Sequence, residues 1–91
     1  LWLSSAYQRE PICLHYATKA DLAMPNEVIP AIEQVLAPYA PRPHWGKLYV
    51  ATAEELAPRY PKMADFRALA DRLDPRRAFR SPFLIEQVLG A

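Results

Sequence analysis

The side chains best suited to chemistry in this 91-residue sequence crowd into one short stretch, Pro41-Arg42-Pro43-His44-Trp45-Gly46-Lys47. Two prolines, three side chains able to carry positive charge, an indole and one of the chain's two glycines fall within seven residues. Proline fixes φ and removes a backbone donor, and glycine lets the main chain turn tightly or approach a ligand closely. A stretch built that way can aim Lys47, whose ammonium could offset charge developing in a reaction or help to move a proton. The plainer alternative is a lysine that merely begins a strand through Leu48, Tyr49 and Val50.

His15 is the second candidate. An imidazole on a strand can both donate to and accept from a hydroxyl, although an ordinary hydrogen-bonded strand histidine looks the same in sequence. The chain has two histidines, His15 and His44, and no cysteine partner at ligand spacing, so no metal site is expected. Cys13 lies two residues from His15, a separation that does not set a nucleophile against a base in a strand, and it reads as a small buried hydrophobe. Ahead of the loop the carboxylates are Glu10, Asp21, Glu27 and Glu33, none paired for general acid–base work. Glu54, Glu55 and Asp65 suit helix starts and solvated faces. Gly46 and Gly90 stand too far apart for a glycine-rich phosphate loop. Trp45 reads as core before it reads as a stacking platform.

Positioning these groups needs a folded chain, and the composition allows one. Hydrophobic residues make up 52% of the sequence, which excludes a disordered chain, though fifteen of them are alanines that bury little area. The length fits one small domain whose core is thin for an enzyme that encloses its substrate. A net charge of +1 with mixed signs leaves no footprint for DNA or RNA, and the excess at Arg76, Arg77 and Arg80 is too short for a phosphate track. A single cysteine cannot form an internal disulfide and fits a reducing, cytoplasmic compartment. No apolar run approaches the roughly 20 residues needed to span a bilayer, and no signal peptide is evident. The opening Leu1-Trp2-Leu3 lacks an initiator methionine and capping residues, and is expected to be the interior of a strand in a longer protein.

Residues 1–7 and 12–18 read as two strands around the polar turn Gln8-Arg9-Glu10-Pro11. In the second, Ile12, Leu14 and Tyr16 share one face, and Cys13, His15 and Ala17 the other. Asn26 is expected to cap a helix running to about Ala37, with Val28, Ile32, Val35, Leu36 and Tyr39 as its apolar stripe and Pro30 tolerated in the first turn. Pro38, Pro41 and Pro43 then end the helix and hold the next stretch extended. Thr52-Ala53-Glu54-Glu55 forms a capping box for a short helix stopped by Pro58 and Pro61. A further helix carries Met63, Phe66, Leu69 or Ala70, and Leu73 on one stripe and ends at Asp74-Pro75. Ser81-Pro82 opens, and Gly90 closes, a last short helix. The expected fold class is α+β, two N-terminal strands followed by helices.

Pro43-His44-Trp45-Gly46-Lys47, with Leu14-His15-Tyr16 upstream and Arg72-Leu73-Asp74-Pro75 downstream, resembles the C-terminal part of flavin-dependent sugar-alcohol and aldonolactone oxidases. These are the alditol/xylitol oxidase and D-arabinono-1,4-lactone oxidase group of the vanillyl-alcohol-oxidase superfamily. The resemblance covers essentially the whole chain, and His-Trp-Gly-Lys followed by a Leu-Asp-Pro segment is its most specific feature. It implies that residues 1–91 are the C-terminal portion of a substrate-cap domain, with the two strands part of the cap sheet and the N-terminal FAD-binding domain absent from the chain. The implied reaction passes a hydride from a CH–OH carbon of a polyol or sugar lactone to FAD, with O2 then taking the electrons to give H2O2. By resemblance Lys47 is the catalytic lysine near flavin and substrate hydroxyl, His15 and Lys47 contact the substrate, and His44 and Lys47 lie at the cofactor. The 91 residues alone are expected to be inactive.

Three positions depart from the family's pattern. Ala17 stands where the alditol oxidases carry a threonine two residues after the histidine, Arg77 where a glycine follows Asp-Pro-x, and Ser81 in place of an asparagine. The first removes one polyol contact and leaves the choice of substrate open. A reading from another class is a small non-catalytic helical interaction module anchored by Trp2, Trp45 and Tyr39. A flavin-binding domain upstream would separate the two readings.

Overall fold

The computed structural model describes residues 1–15 and 24–90, and no strand occurs among them. Residues 1–10 form consecutive turns instead. The amides of Ser4, Tyr7 and Arg9 donate to the carbonyls of Leu1, Ser4 and Ala6 at 3.1 Å, and Gln8 adopts φ 54°. Residues 11–15 lack regular structure, with Ile12 and Leu14 89% and 63% exposed. This corrects the expectation of an α+β fold with two N-terminal strands. Alternating residues suit an extended backbone, but a strand also needs a neighbour to answer its N–H and C=O groups. Here the carbonyls of Ser4, Ser5 and Tyr7 receive N–H groups from the Arg42 side chain. Residues 16–18 of the expected second strand, Ala17 among them, lie outside the described residues. Cys13 is exposed, not buried as its small apolar character suggested.

A π-helical turn, Met24–Val28, leads directly into helix α1, Ile29–Leu36, with Pro30, which has no amide to donate, just after the junction. Asn26 therefore lies within the helical run and does not cap it. A 3-10 turn, Ala37–Tyr39, ends the run at Ala40 with φ 47°.

Helix α2, Ala53–Leu56, begins with the capping box read from sequence. The Glu55 amide donates to Thr52 Oγ1 at 3.3 Å, and the Thr52 amide donates to the Glu55 carboxylate at 2.7 Å. A 3-10 turn, Ala57–Arg59, carries Pro58, and helix α3, Met63–Leu73, stops before Pro75. A π-helical segment, Leu84–Leu89, closes on Gly90, whose φ of 74° suits glycine and whose amide donates to the Ile85 carbonyl at 2.8 Å.

Elements this short do not stand alone, so packing must hold them. Leu56, Tyr60, Met63, Ala51, Val88 and Leu89 form the buried cluster, with Leu3, Trp45, Tyr49, Phe66 and Ala70 packed against it. Arg67 ties two of the pieces from outside the core. Its Nε and Nη2 donate to the Val88 carbonyl at 3.0 and 2.8 Å, and Nη2 also reaches the Ala53 carbonyl at 3.3 Å.

The turn after α3 holds Arg77, one of the three departures noted above. Asp74 fixes it by accepting the amides of Ala78 and Phe79 at 2.8 and 3.0 Å, while its carbonyl accepts the Arg77 amide at 3.0 Å. Arg77 adopts φ 57°, the left-handed region where glycine is cheapest. For an L-residue that conformation costs about 1–2 kcal/mol, set against roughly 0.5–1 kcal/mol of extra chain entropy for glycine. Arg77→Gly is therefore expected to stabilise the protein by about 0.5–1 kcal/mol, seen as a higher thermal midpoint. A lower midpoint would show that the arginine side chain contributes more than its backbone costs.

Candidate active site

The stretch from Ala40 to Ala51 has no regular structure, so side chains must hold it. Two of its carbonyls are capped by arginines, Ala40 by Arg9 Nη1 and Pro41 by Arg59 Nη1, both at 2.7 Å. Arg42 is the principal anchor. Its Nε donates to the Arg59 carbonyl at 2.7 Å, and Nη1 donates to the carbonyl of Tyr7 at 2.7 Å and to those of Ser4 and Ser5 at 3.3 Å. The guanidinium lies 4.8 Å from the centre of the Tyr60 ring, a cation–π contact. Burial, and next the nearby Arg9 charge, lower the Arg42 pKa, while Tyr60 acts the other way. An arginine remains charged through such a shift.

Trp45 comes next and packs, partly buried, against the core. Its Nε1 donates to the Leu3 carbonyl at 2.9 Å. The ring stacks on Tyr60 at 5.2 Å between centroids and meets Tyr49 edge-on at 6.1 Å. The hydroxyls of Tyr49 and Tyr60 are buried without a hydrogen-bond partner among the described residues. Burial pushes the Tyr60 phenol up to about 12, against the pull of Arg42. The Tyr49 phenol is likewise raised, first by burial and then by the Glu33 charge. Both rings stay neutral at ordinary pH and act as packing surfaces.

Beyond the indole the chain turns back to the surface. The Lys47 amide donates to the His44 carbonyl and the Gly46 amide to His44 Nδ1, each at 3.0 Å. Because Nδ1 accepts, the proton of the neutral ring sits on Nε2. A Cβ on Gly46 would lie 3.3 Å from His44 Cε1, a tight contact that the imidazole would have to relieve by shifting slightly. His44, Gly46 and Lys47 are all exposed. No strand follows through Leu48–Val50. Glu33 of α1 closes the stretch instead, its carboxylate accepting the Val50 amide at 3.1 and 3.2 Å and the Ala51 amide at 3.4 Å.

Of the residues singled out by sequence, His44 and Lys47 share one tight turn. His15 is exposed on residues 11–15, and no hydrogen bond among the described residues ties it to that turn. The dry setting that would sharpen a lysine's electrostatics is not made by the described residues. Trp45, an anchor of the interaction-module reading, is committed to the core. Arg42 and Glu33 escaped the sequence reading. The available signals were an arginine flanked by prolines and a carboxylate beside the apolar Ile32 of a helix.

The described residues show no glycine-rich phosphate loop, since Gly90 ends a helix and Gly46 stands alone in its turn. The turn presents an exposed ammonium and an imidazole N–H. Among the described residues no group of three or more His, Cys, Asp or Glu side chains is placed to hold a metal ion. No described helix is long and apolar enough to cross a membrane.

A family model described as D-arabinono-1,4-lactone oxidase matches residues 1–87. The chain is 41% identical over 89 residues to "Alditol oxidase" of Streptomyces sp. (strain IKD472 / FERM P-14339), covering 98% of this chain and 21% of that protein. It is 38% identical over 89 residues to "L-gulono-1,4-lactone dehydrogenase" of Mycobacterium tuberculosis (strain ATCC 25618 / H37Rv), covering 98% of this chain and 20% of that protein. The chain thus spans about a fifth of the length of these curated relatives.

Proposed function

The chain belongs to the D-arabinono-1,4-lactone oxidase family, and from that premise we propose that it is the C-terminal portion of the substrate-cap domain of an FAD-linked oxidoreductase. The substrate is a polyol or sugar lactone oxidised at a CH–OH group, in the cytoplasm. The observation that carries this reading is the exposed Lys47 ammonium on a turn pinned at both ends. FAD, held by a separate N-terminal domain of the same protein, supplies the hydride acceptor. The relatives' names divide between oxidase and dehydrogenase; the present reading takes O2 as the final acceptor, giving H2O2.

In this reading Lys47 is the catalytic residue, offsetting negative charge on the substrate oxygen as its hydroxyl gives up a proton. His15 holds a second hydroxyl, donating and accepting as the sugar requires. His44, with its proton on Nε2, can donate a hydrogen bond to the cofactor. Binding energy from these contacts orients the carbinol carbon, and positioning of that kind supplies a large share of a hydride-transfer rate.

The division of labour is testable on the chain itself. Purified with excess FAD, the 91-residue chain is expected to retain no flavin absorbance and to release no peroxide with xylitol or L-gulono-1,4-lactone. The full-length protein is expected to carry flavin that bleaches with at least one of these probes under anaerobic conditions. Stoichiometric flavin on the short chain, or a full-length flavoprotein bleached by neither probe, would overturn the reading.

A further inference from the structure

We propose that Arg42 and Glu33 are positioning residues for this reaction, clamping the two ends of the Lys47 turn and so fixing where its ammonium is presented. The inference rests on the reading above. Before the turn, the Arg42 guanidinium gathers carbonyls from two separate segments, Ser4, Ser5 and Tyr7 on one side and Arg59 on the other. After it, the Glu33 carboxylate takes the amides of Val50 and Ala51. Between these anchors the backbone has no ladder or helix to define it, and His44, Gly46 and Lys47 are exposed.

Charged groups binding backbone in this way make hydrogen bonds about twice as strong as neutral pairs. Both anchors spend their polar atoms on main-chain groups, so neither needs to touch the reacting atoms. They act through Lys47. A misplacement of about 1 Å can cost roughly 10² in rate when a catalytic group is aimed from a distance. Lysine at position 42 keeps the charge but cannot fork to several carbonyls, and glutamine at position 33 keeps one acceptor oxygen and loses the charge.

The test uses the flavin-loaded full-length enzyme and whichever of the two probes bleaches it faster. Arg42→Lys and Glu33→Gln are each expected to slow flavin reduction at saturating substrate about tenfold or more, with a smaller change in KM. Hydrogen–deuterium exchange in peptides spanning 44–51 should speed up in both, a change that does not depend on turnover. In a Lys47→Met background, adding Glu33→Gln should give no further loss, because no ammonium is left to misplace. Parent reduction rates and exchange in Glu33→Gln, or a loss that multiplies with that of Lys47→Met, would overturn the positioning role while leaving the function intact. If Lys47→Met itself reduces flavin at the parent rate, the assignment of Lys47 as the catalytic residue fails and not merely this refinement. Glu33→Gln decides the matter even where Arg42→Lys does not fold.

Discussion

Replacing Lys47 by methionine in the flavin-loaded full-length enzyme is expected to lower kcat/KM by roughly 10² or more, about 3 kcal/mol of transition-state stabilisation. Methionine keeps most of the apolar stem and removes the charge. Stability should barely move, because Lys47 is exposed and its side chain holds none of the core together. Nor should the turn collapse, since the bonds that shape it run from the backbone of residues 46 and 47 to His44. His15→Ala should act chiefly through KM, as expected for a group that holds the substrate before and during reaction. Stopped-flow measurement of flavin reduction separates the two effects. A Lys47→Met enzyme with the parent reduction rate would return the turn to a purely structural role.

Leu56→Ala is expected to destabilise the protein by about 2–5 kcal/mol. Leu56 is fully buried, at 0% exposure, in the cluster formed by Ala51, Tyr60, Met63, Val88 and Leu89. It ends a helix of four residues, which has little stability of its own. Truncation thus opens a cavity where three pieces of chain meet. Denaturant unfolding should show a lower midpoint with an unchanged slope. Leu73→Ala supplies the contrast, since Leu73 lies on the same kind of apolar stripe yet is 71% exposed. A loss below about 1 kcal/mol at Leu56 would mean that the neighbours collapse to fill the gap.

Local chemistry was the legible part of this fold. The Thr52–Glu55 capping box, the proline stops after α2 and α3, and Gly90 as a terminator each depend on residues within a few positions of one another. The N-terminal segment misled because strand formation is not a local property. Residues 1–7 and 12–15 are rich in apolar and aromatic side chains that suit a strand, but whether they pair depends on what comes beside them. What comes beside residues 4–7 is a guanidinium more than thirty residues away in sequence. Glu33 was hidden in the same way, as its carboxylate serves amides 17 and 18 residues downstream. Sequence put Lys47 and His44 in a constrained loop, and they share one tight turn, because proline and glycine advertise constraint. It could not show the clamps, which are long side chains reaching generic backbone.

That generic character has a consequence for how the protein can change. Every non-aromatic partner of the Arg42 side chain described above is a main-chain carbonyl, and every amino acid supplies one, proline included. Side chains at positions 4, 5 and 7 can therefore drift without withdrawing an acceptor, so long as the backbone path survives. For these acceptors the mutational burden falls on Arg42 and not on the residues that supply the carbonyls. A scaffold of this kind tolerates remodelling of its N-terminal turns, and engineering there can alter surface, charge or solubility while the lysine keeps its address.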